Sequence, residues 1–265
     1  MTIHRTAVVD PAAEIDAGAE IGPYAIIEGK VKISAGTRVL AHAFITSNTS
    51  IGPDNVIHPF AVLGNTPQDL GYRGAETFLR IGKGNIIREG CSIHRGSKEG
   101  SATVVGDNNF LMAYSHLGHD CVIGNEVVIA NGALLAGHVH VEDRAFISGN
   151  AVVHQFCDIG SLTMIGGAAK VTKGVPPYMM LVERGAVVGL NVVGLKRAGF
   201  SPEDRRRLKE AYRLLYHSGL NVSQAVAEIE QQDLGPGAAA LVDFIRRSRR
   251  GISRHSRGAR REFEL

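Results

Sequence analysis

An aliphatic residue returns at every sixth position through most of this chain. The series runs Ile3, Val9, Ile15, Ile21, Ile27, Ile33, Val39, Ile45, Ile51, Ile57 and Leu63. It resumes at Ile81, Ile87 and Ile93, and again from Val105 through Leu111, Leu117, Ile123, Ile129, Leu135, Val141, Ile147, Val153, Ile159 and Ile165 to Val171. Four residues after the aliphatic one stands a small or β-branched residue, as in Ala7, Ala13, Ala19, Ala25, Val31, Thr37 and Ala43. Neither the 3.6-residue period of an amphipathic helix nor the alternation of a half-buried strand gives this spacing. A solenoid with three flat sides and one such unit per side does. The aliphatic residue points inward, the small one fits the crowded corner, and Gly, Asn and Asp make the turns. Successive coils pair as parallel strands about 4.8 Å apart, so Ile3 stacks under Ile21. The predicted fold is mainly β, a parallel β-helix, followed by a helical segment.

Two stretches interrupt the repeat, near 64–77 (GNTPQDLGYRGAET) and 97–103 (SKEGSAT). Both leave the phase intact, which predicts loops pushed out of a continuous solenoid. Loops on a rigid scaffold are places where function gathers. The repeat ends near Pro176-Pro177. Ser201-Pro202-Glu203-Asp204 then reads as a helix start, with an N-cap serine, proline at the first helical position and acids in the first turn. Leu208, Ala211, Tyr212, Leu215 and Tyr216 form its apolar stripe, ending at Gly219. Further helices are predicted over Val222–Gln231 and Ala238–Ser248. The expected organisation is a β-helix over 1–177, a helical domain over 178–250 that closes the solenoid's open end, and a frayed basic tail over 251–265.

Composition narrows the functional classes. The chain has 265 residues, 44% of them hydrophobic, and a net charge of only +3, with basic residues concentrated at the C-terminus. A uniform nucleic-acid-binding surface is not expected. No apolar run reaches a membrane span, and the N-terminus carries no signal-peptide core, so a cytoplasmic location is expected. Cys91, Cys121 and Cys157 are odd in number, form no CxxC, and fall on the small-residue position of the repeat. They read as core packing rather than a disulfide or zinc framework.

Histidines carry the candidate chemistry. His116, His119 and Asp120 occupy one corner of a coil. Gly137 follows His119 by one coil and Gln155 by two, with His138 and His154 beside them. These residues line one edge within about 10 Å along the axis. Imidazole titrates near neutrality and can take a proton from a hydroxyl. An adjacent carboxylate can hold its tautomer, and a backbone N–H at Gly137 can face a developing oxyanion. Spacing alone leaves open which histidine acts.

The motifs HLGHDC at 116–121, AGHVHVED at 136–143, VHQFCDIG at 153–160 and PPYMM at 176–180 resemble the UDP-N-acetylglucosamine O-acyltransferase family of hexapeptide-repeat enzymes. So do QDLGY at 68–72, IHRGS at 93–97 and GLNVVGLKRAGFS at 189–201. The likeness covers essentially residues 1–250. It implies a left-handed β-helix and a homotrimer with sites in clefts between subunits. It also implies transfer of an (R)-3-hydroxyacyl group from acyl carrier protein to the glucosamine 3-position of the UDP-sugar, the first step of lipid A synthesis. By this resemblance His119 is the general base, Asp120 its partner and Gly137 N–H the oxyanion donor. Asp69, His116, His138, His154 and Gln155 match positions contacting sugar or acyl chain. Asn191 and Arg197 match uridine-diphosphate contacts, and Gly167 matches the floor of the acyl groove. No metal or cofactor is implied, because a thioester is already activated.

Two positions depart from the family pattern. Gly71 stands where a lysine is usual, with Arg73 nearby as a substitute cation. Val193 stands where a glutamate is usual. These departures make a 3-amino UDP-sugar, giving an amide product, an alternative acceptor. Arg205, Arg206, Arg207, Arg246, Arg247, Arg249 and Arg250 are candidates for docking an acidic carrier protein. Rival readings are a γ-type zinc carbonic anhydrase, an acetyl-CoA-dependent sugar acetyltransferase, the N-acyltransferase of the same pathway, and an inactive scaffold.

Overall fold

A computed structural model describes residues 2–46, 48–182 and 184–256. Three sheets of short strands form the faces of a triangular solenoid. One has eleven strands, from Thr2–Ile3 to Ala186–Leu190; one has nine, from Val8–Val9 to Lys170–Val171; one has eight, from Glu14–Ile15 to Asp158–Ile159. Register follows the repeat: Ile21 pairs with Ile3 below it and Val39 above it, both parallel. The inward aliphatics Ile27, Ile45, Leu63, Ile93, Leu117 and Leu135 are fully buried. Each stabilises the coil by about 1.5–3 kcal/mol through burial alone. The small residues Ala25, Ala43 and Ala61 fill corners with no exposure, as do Cys91, Cys121 and Cys157. Burial pushes the thiols of Cys91 and Cys121 up to about 12, which suits packing and not reactivity.

At one corner the small residue gives way to a buried asparagine ladder. Asn55 Oδ1 accepts from Asn85 N at 2.8 Å, Asn85 Oδ1 from Asn109 N at 2.9 Å, and Asn109 Oδ1 from Val127 N at 2.7 Å. Buried amides are tolerated there because each accepts a backbone N–H from the next coil.

The two insertions lengthen single coils without breaking register. Ile33 pairs with Ile51, but Ile51 pairs with Ile81 and Ile81 with Val105, after which the ordinary spacing returns at Ile123. Both additions are whole multiples of the repeat, which is why the phase survives them. Both leave from the corner between the nine- and eight-stranded sheets, after Val62–Asn65 and Ser92–His94. That corner is the histidine edge.

Beyond the last coil, an antiparallel hairpin of Met179–Val182 and Ala186–Leu190 extends the eleven-stranded sheet. Among the described residues four helices follow: α1 (Val192–Arg197), α2 (Pro202–His217), α3 (Val222–Gln231) and α4 (Pro236–Arg247). Helix α1 is too short to show an apolar stripe in the sequence; its signal is the N-cap Asn191, whose side chain accepts from Gly194 N. Helix α2 begins with the expected N-cap, completed as a reciprocal capping box between Ser201 and Asp204. Helix α4 starts two residues before the expected Ala238 because Pro236 occupies its first turn. Ala211, Leu214 and Leu215 of α2 pack with Ala225, Ile229, Leu241 and Val242 in a core continuous with that of the solenoid.

The segment expected as a frayed tail is packed over its first six residues. Ile252 bridges Gly174, His255 bridges Val187, and Ser253 is 3% exposed. The end of the solenoid presents unpaired backbone groups, and this segment supplies their partners. Residues 257–265 of the expected tail lie outside the described residues. No helix among the described residues is long and apolar enough to cross a membrane.

Candidate active site

The strand His116–Leu117 sends the inward Leu117 to the core and His116 outward. The chain then turns through Gly118, His119, Asp120 and Cys121, with Asp120 at φ 58°. His119 Nδ1 lies 2.8 Å from Asp120 Oδ2, both side chains being largely buried. One coil along, a Cβ at residue 137 would stand 2.5 Å from His119 Cε1 and 2.6 Å from Nε2, so glycine there is what admits the ring. The His119 imidazole occupies the space that a side chain at Gly137 would take. Gly137 O accepts from Phe156 N at 3.2 Å, while the Gly137 N–H has no backbone acceptor among the described residues.

His138, beside Gly137, stacks on Phe156 with centroids 4.6 Å apart and meets the His119 ring edge-on at 5.0 Å. Its Nε2 is 3.6 Å from Asp120 Oδ2. Below, His116 Nδ1 is 2.7 Å from Ser92 Oγ, and the His94 ring meets His116 edge-on at 5.2 Å. Burial, with repulsion from His94, lowers His116 to about 4, so this ring is neutral at physiological pH. Burial also lowers His138 and His94. For Asp120, burial opposes ionisation, but hydrogen bonds from Ser101, Ser97 and His119 outweigh it and hold the carboxyl below its ordinary value.

These groups open onto a cleft of about 400 Å³ lined by Gln68, His94, His116, His119, Leu134, Gly137, Val152 and Gln155 among others. Of the residues expected here, His116, His119, Asp120, Gly137, His138 and Gln155 come together. His154 stands on the same edge but is exposed, its Nδ1 3.1 Å from Gln155 O. Asp69 is exposed and its Oδ1 accepts from Gly71 N at 2.8 Å; its neighbour Gln68 lines the cleft instead. Arg73, the substitute cation, donates to Leu70 O and Tyr72 O within its own loop. Gly167 lies at a different corner, between the eleven- and nine-stranded sheets. Asn191 caps α1 and donates to Leu162 O at 2.8 Å, and Arg197 is exposed in the last turn of that helix. Val193 is 59% exposed.

Sequence reasoning assigned no role to Ser92, His94, Ser97, Gln68 or Phe156. Their signal was available once the inserted lengths are subtracted: Ser92 then registers directly with His116.

Among the described residues, His119, Asp120 and His138 are the trio whose ligating atoms lie within 4.8 Å of one another. The set holds two imidazoles and a carboxylate, not the three imidazoles of a γ-type zinc enzyme. Its carboxylate already accepts from His119 and from Ser97 Oγ at 2.6 Å. The arrangement is an imidazole hydrogen-bonded to a carboxylate that Ser97 also holds, a geometry that suits acid–base chemistry.

Residues 175–253 match the family described as UDP N-acetylglucosamine O-acyltransferase, domain 2, and residues 102–137 match the bacterial transferase hexapeptide repeats. The acyl-[acyl-carrier-protein]–UDP-N-acetylglucosamine O-acyltransferase of Thermodesulfovibrio yellowstonii is 48% identical over 95% of this chain and 99% of its own length. Among solved structures, the enzyme called LpxA from Acinetobacter baumannii superposes with a TM-score of 0.93 at 42% identity, covering 96% of this chain and 100% of that one. The UDP-N-acetylglucosamine acyltransferase of Francisella novicida gives 0.92 at 42% identity, over 97% and 95% of the two chains. The solenoid is therefore the left-handed parallel β-helix of these proteins. With the fold shared and this level of identity holding over nearly the whole chain, the chain belongs to the acyl-[acyl-carrier-protein]–UDP-N-acetylglucosamine O-acyltransferase family.

Proposed function

We propose that this chain transfers an (R)-3-hydroxyacyl group from acyl carrier protein to the glucosamine 3-hydroxyl of UDP-N-acetylglucosamine, the first step of lipid A biosynthesis. The observation that carries the reading is the His119–Asp120 pair, 2.8 Å apart and seated against Gly137 at the mouth of the cleft. With Nδ1–H directed to the carboxylate, Nε2 is the basic nitrogen. It takes the proton of the sugar hydroxyl as that oxygen attacks the thioester carbonyl. The negative charge on the carbonyl oxygen is met by the Gly137 N–H. Collapse expels the carrier's thiolate, which recovers the proton from the imidazolium, leaving ester and thiol. The thioester supplies the activation, so the steps use only acid–base and hydrogen-bonding groups of the chain.

His116 is neutral at the working pH and serves as a hydrogen-bonding wall of the sugar site rather than as a second base. Asp69, His154 and Gln155 are assigned to the same substrates from the cleft rim, with Asn191 and Arg197 holding the diphosphate and Gly167 the acyl chain. Because these groups sit on different corners and beyond the last coil, one chain does not gather them around His119. A homotrimer brings edges of neighbouring chains together. Exposed apolar residues on the flat outer faces, such as Ile86 at 40%, Phe146 at 37% and Val8 at 62%, suit such packing. The cap's arginines face an acidic carrier, although Arg206 and Arg207 are already paired with Glu203, and Arg246 with Glu230. A carrier-linked donor suits a cytoplasmic reaction.

Mass spectrometry of products formed from mixed hydroxyacyl carrier substrates tests the assignment. An ester of UDP-N-acetylglucosamine is expected. An exposed Val193 in place of an acid, and Gly71 in place of a cation, favour comparing the 3-amino sugar nucleotide in parallel. An amide from that substrate with no ester would move the assignment to the amino sugar, and no product from either would overturn it.

A further inference from the structure

We infer that Ser97, in the second inserted loop, is a positioning residue for the acyl transfer, clamping Asp120 so that His119 keeps its proton on Nδ1. The inference rests on the proposed reaction for its kinetic readout and stands on geometry for the rest. Ser97 is 8% exposed. Its N–H reaches both carboxylate oxygens of Asp120 at 3.2 Å, and its Oγ donates to Oδ2 at 2.6 Å. Ser101 Oγ, in the same loop, accepts from Lys98 N at 3.0 Å and so braces the loop beside Ser97. The Asp120 N–H donates to Thr103 Oγ1 at 2.8 Å. Ser97 of the loop and Thr103 of the strand Ala102–Val105 that follows it thus both hold Asp120 in the next coil.

The loop is built to hold them. A Cβ on Gly96 would come within 2.5 Å of Ser101 O, so the chain folds back tightly at that glycine. Gly96 N donates to Phe78 O at 3.1 Å and Gly100 N to Glu76 O at 2.9 Å, fixing the loop at both ends. A carboxylate facing an imidazole is otherwise free to rotate about its terminal torsion, which is broad and two-fold. Pinned on its outer lone pairs, Asp120 presents Oδ2 to His119 Nδ1 in one orientation. Without the serine hydroxyl the carboxylate turns, the ring populates the Nε2–H tautomer, and that form cannot accept the sugar's proton.

Ser97→Ala and Ser97→Thr, made in the full chain, test this by two readouts. Steady-state kinetics should show kcat lower by about tenfold in the alanine variant, the size of one hydrogen bond to a charged group, with KM for both substrates unchanged. The threonine variant, which keeps the hydroxyl, should restore kcat. ¹⁵N spectra of ring-labelled histidine, with His119 assigned through a His119→Gln variant, should show Nδ1–H in the parent and threonine forms and mixed tautomers in the alanine form. This second readout needs no substrate, so it separates failure of the clamp from failure of the proposed reaction. A parent-like tautomer in Ser97→Ala, or equal loss of kcat in the alanine and threonine variants, would overturn the inference. Should Ser97→Ala not fold, Ser97→Cys, whose thiol is only a weak donor, is read by the same spectra, with tautomer mixing expected and a parent-like spectrum against it.

Discussion

The imidazole of His119 fills the space that a side chain at residue 137 would take: a Cβ on Gly137 would lie 2.5 Å from its Cε1 and 2.6 Å from its Nε2. Glycine is required here by the neighbour's ring and not by its own backbone. Gly137→Ala should therefore push His119 off the Asp120 carboxylate while leaving the coil's ladder intact. A displacement of about 1 Å at a reacting group costs roughly 10²-fold. Turnover of Gly137→Ala is expected to fall by that order with little change in melting temperature. A fully active alanine variant would show that the ring has room to move without consequence.

Removing the base itself should cost more. His119→Ala is expected to lower kcat by roughly 10²–10⁴-fold, the usual contribution of a positioned base. Asp120→Asn should lower it as well, because an amide can present its N–H to Nδ1 and so favour the wrong tautomer. Circular dichroism should show both variants folded, since neither side chain contributes to the aliphatic core. Activity near the parent's in His119→Ala would remove His119 from the role of base.

The histidine cluster also sets an acid limit on stability. Burial, with the His94 ring adding to it, lowers His116 from 6.5 to about 4 in the folded chain. Between these values the unfolded state binds a proton that the folded state refuses, so stability falls as pH drops from 6.5 towards 4. Above that window the group contributes no pH dependence. Asp120 acts in the next window down. Its folded carboxyl is held below the ordinary 3.8, so its stabilisation is complete above that value and is lost as pH falls further. Calorimetry should show a melting temperature that declines from pH 6.5 towards 4, and a shallower decline in His116→Asn. An unchanged slope in that variant would assign the acid sensitivity elsewhere.

The six-residue phase made the solenoid legible because each coil repeats one packing problem: Ile21, Val39 and Ile57 solve it identically. The same phase located His119, Asp120 and Gly137 on one edge. Long-range partners were hidden for a definite reason. Ser92 and Ser97 meet His116 and Asp120 across a coil lengthened by insertion, so the ordinary spacing misplaces them. The packed segment at Ile252–His255 was hidden because it is held by single bridges to the backbone of Gly174 and Val187, which leave no pattern in side chains. Helix α1 carries its information in one cap, Asn191, rather than in a period.

Gly167 offers a test of where the acyl chain lies. A Cβ built there meets only Gly149 O, at 3.7 Å, an ordinary contact, and its φ is not in the left-handed region. A larger side chain is therefore accommodated without strain, unlike one at Gly137. Being exposed at its corner, it would project from the surface into whatever lies against that edge. If the hydrocarbon chain runs there, Gly167→Met shortens the groove by the length of its side chain, and each excluded methylene forfeits about 0.8 kcal/mol of burial. The variant should keep the parent's melting temperature and its KM for the sugar nucleotide. With a mixture of hydroxyacyl carrier substrates, its products should shift to shorter chains by mass spectrometry. An unchanged product distribution, with the protein equally stable, would place the acyl groove away from this corner.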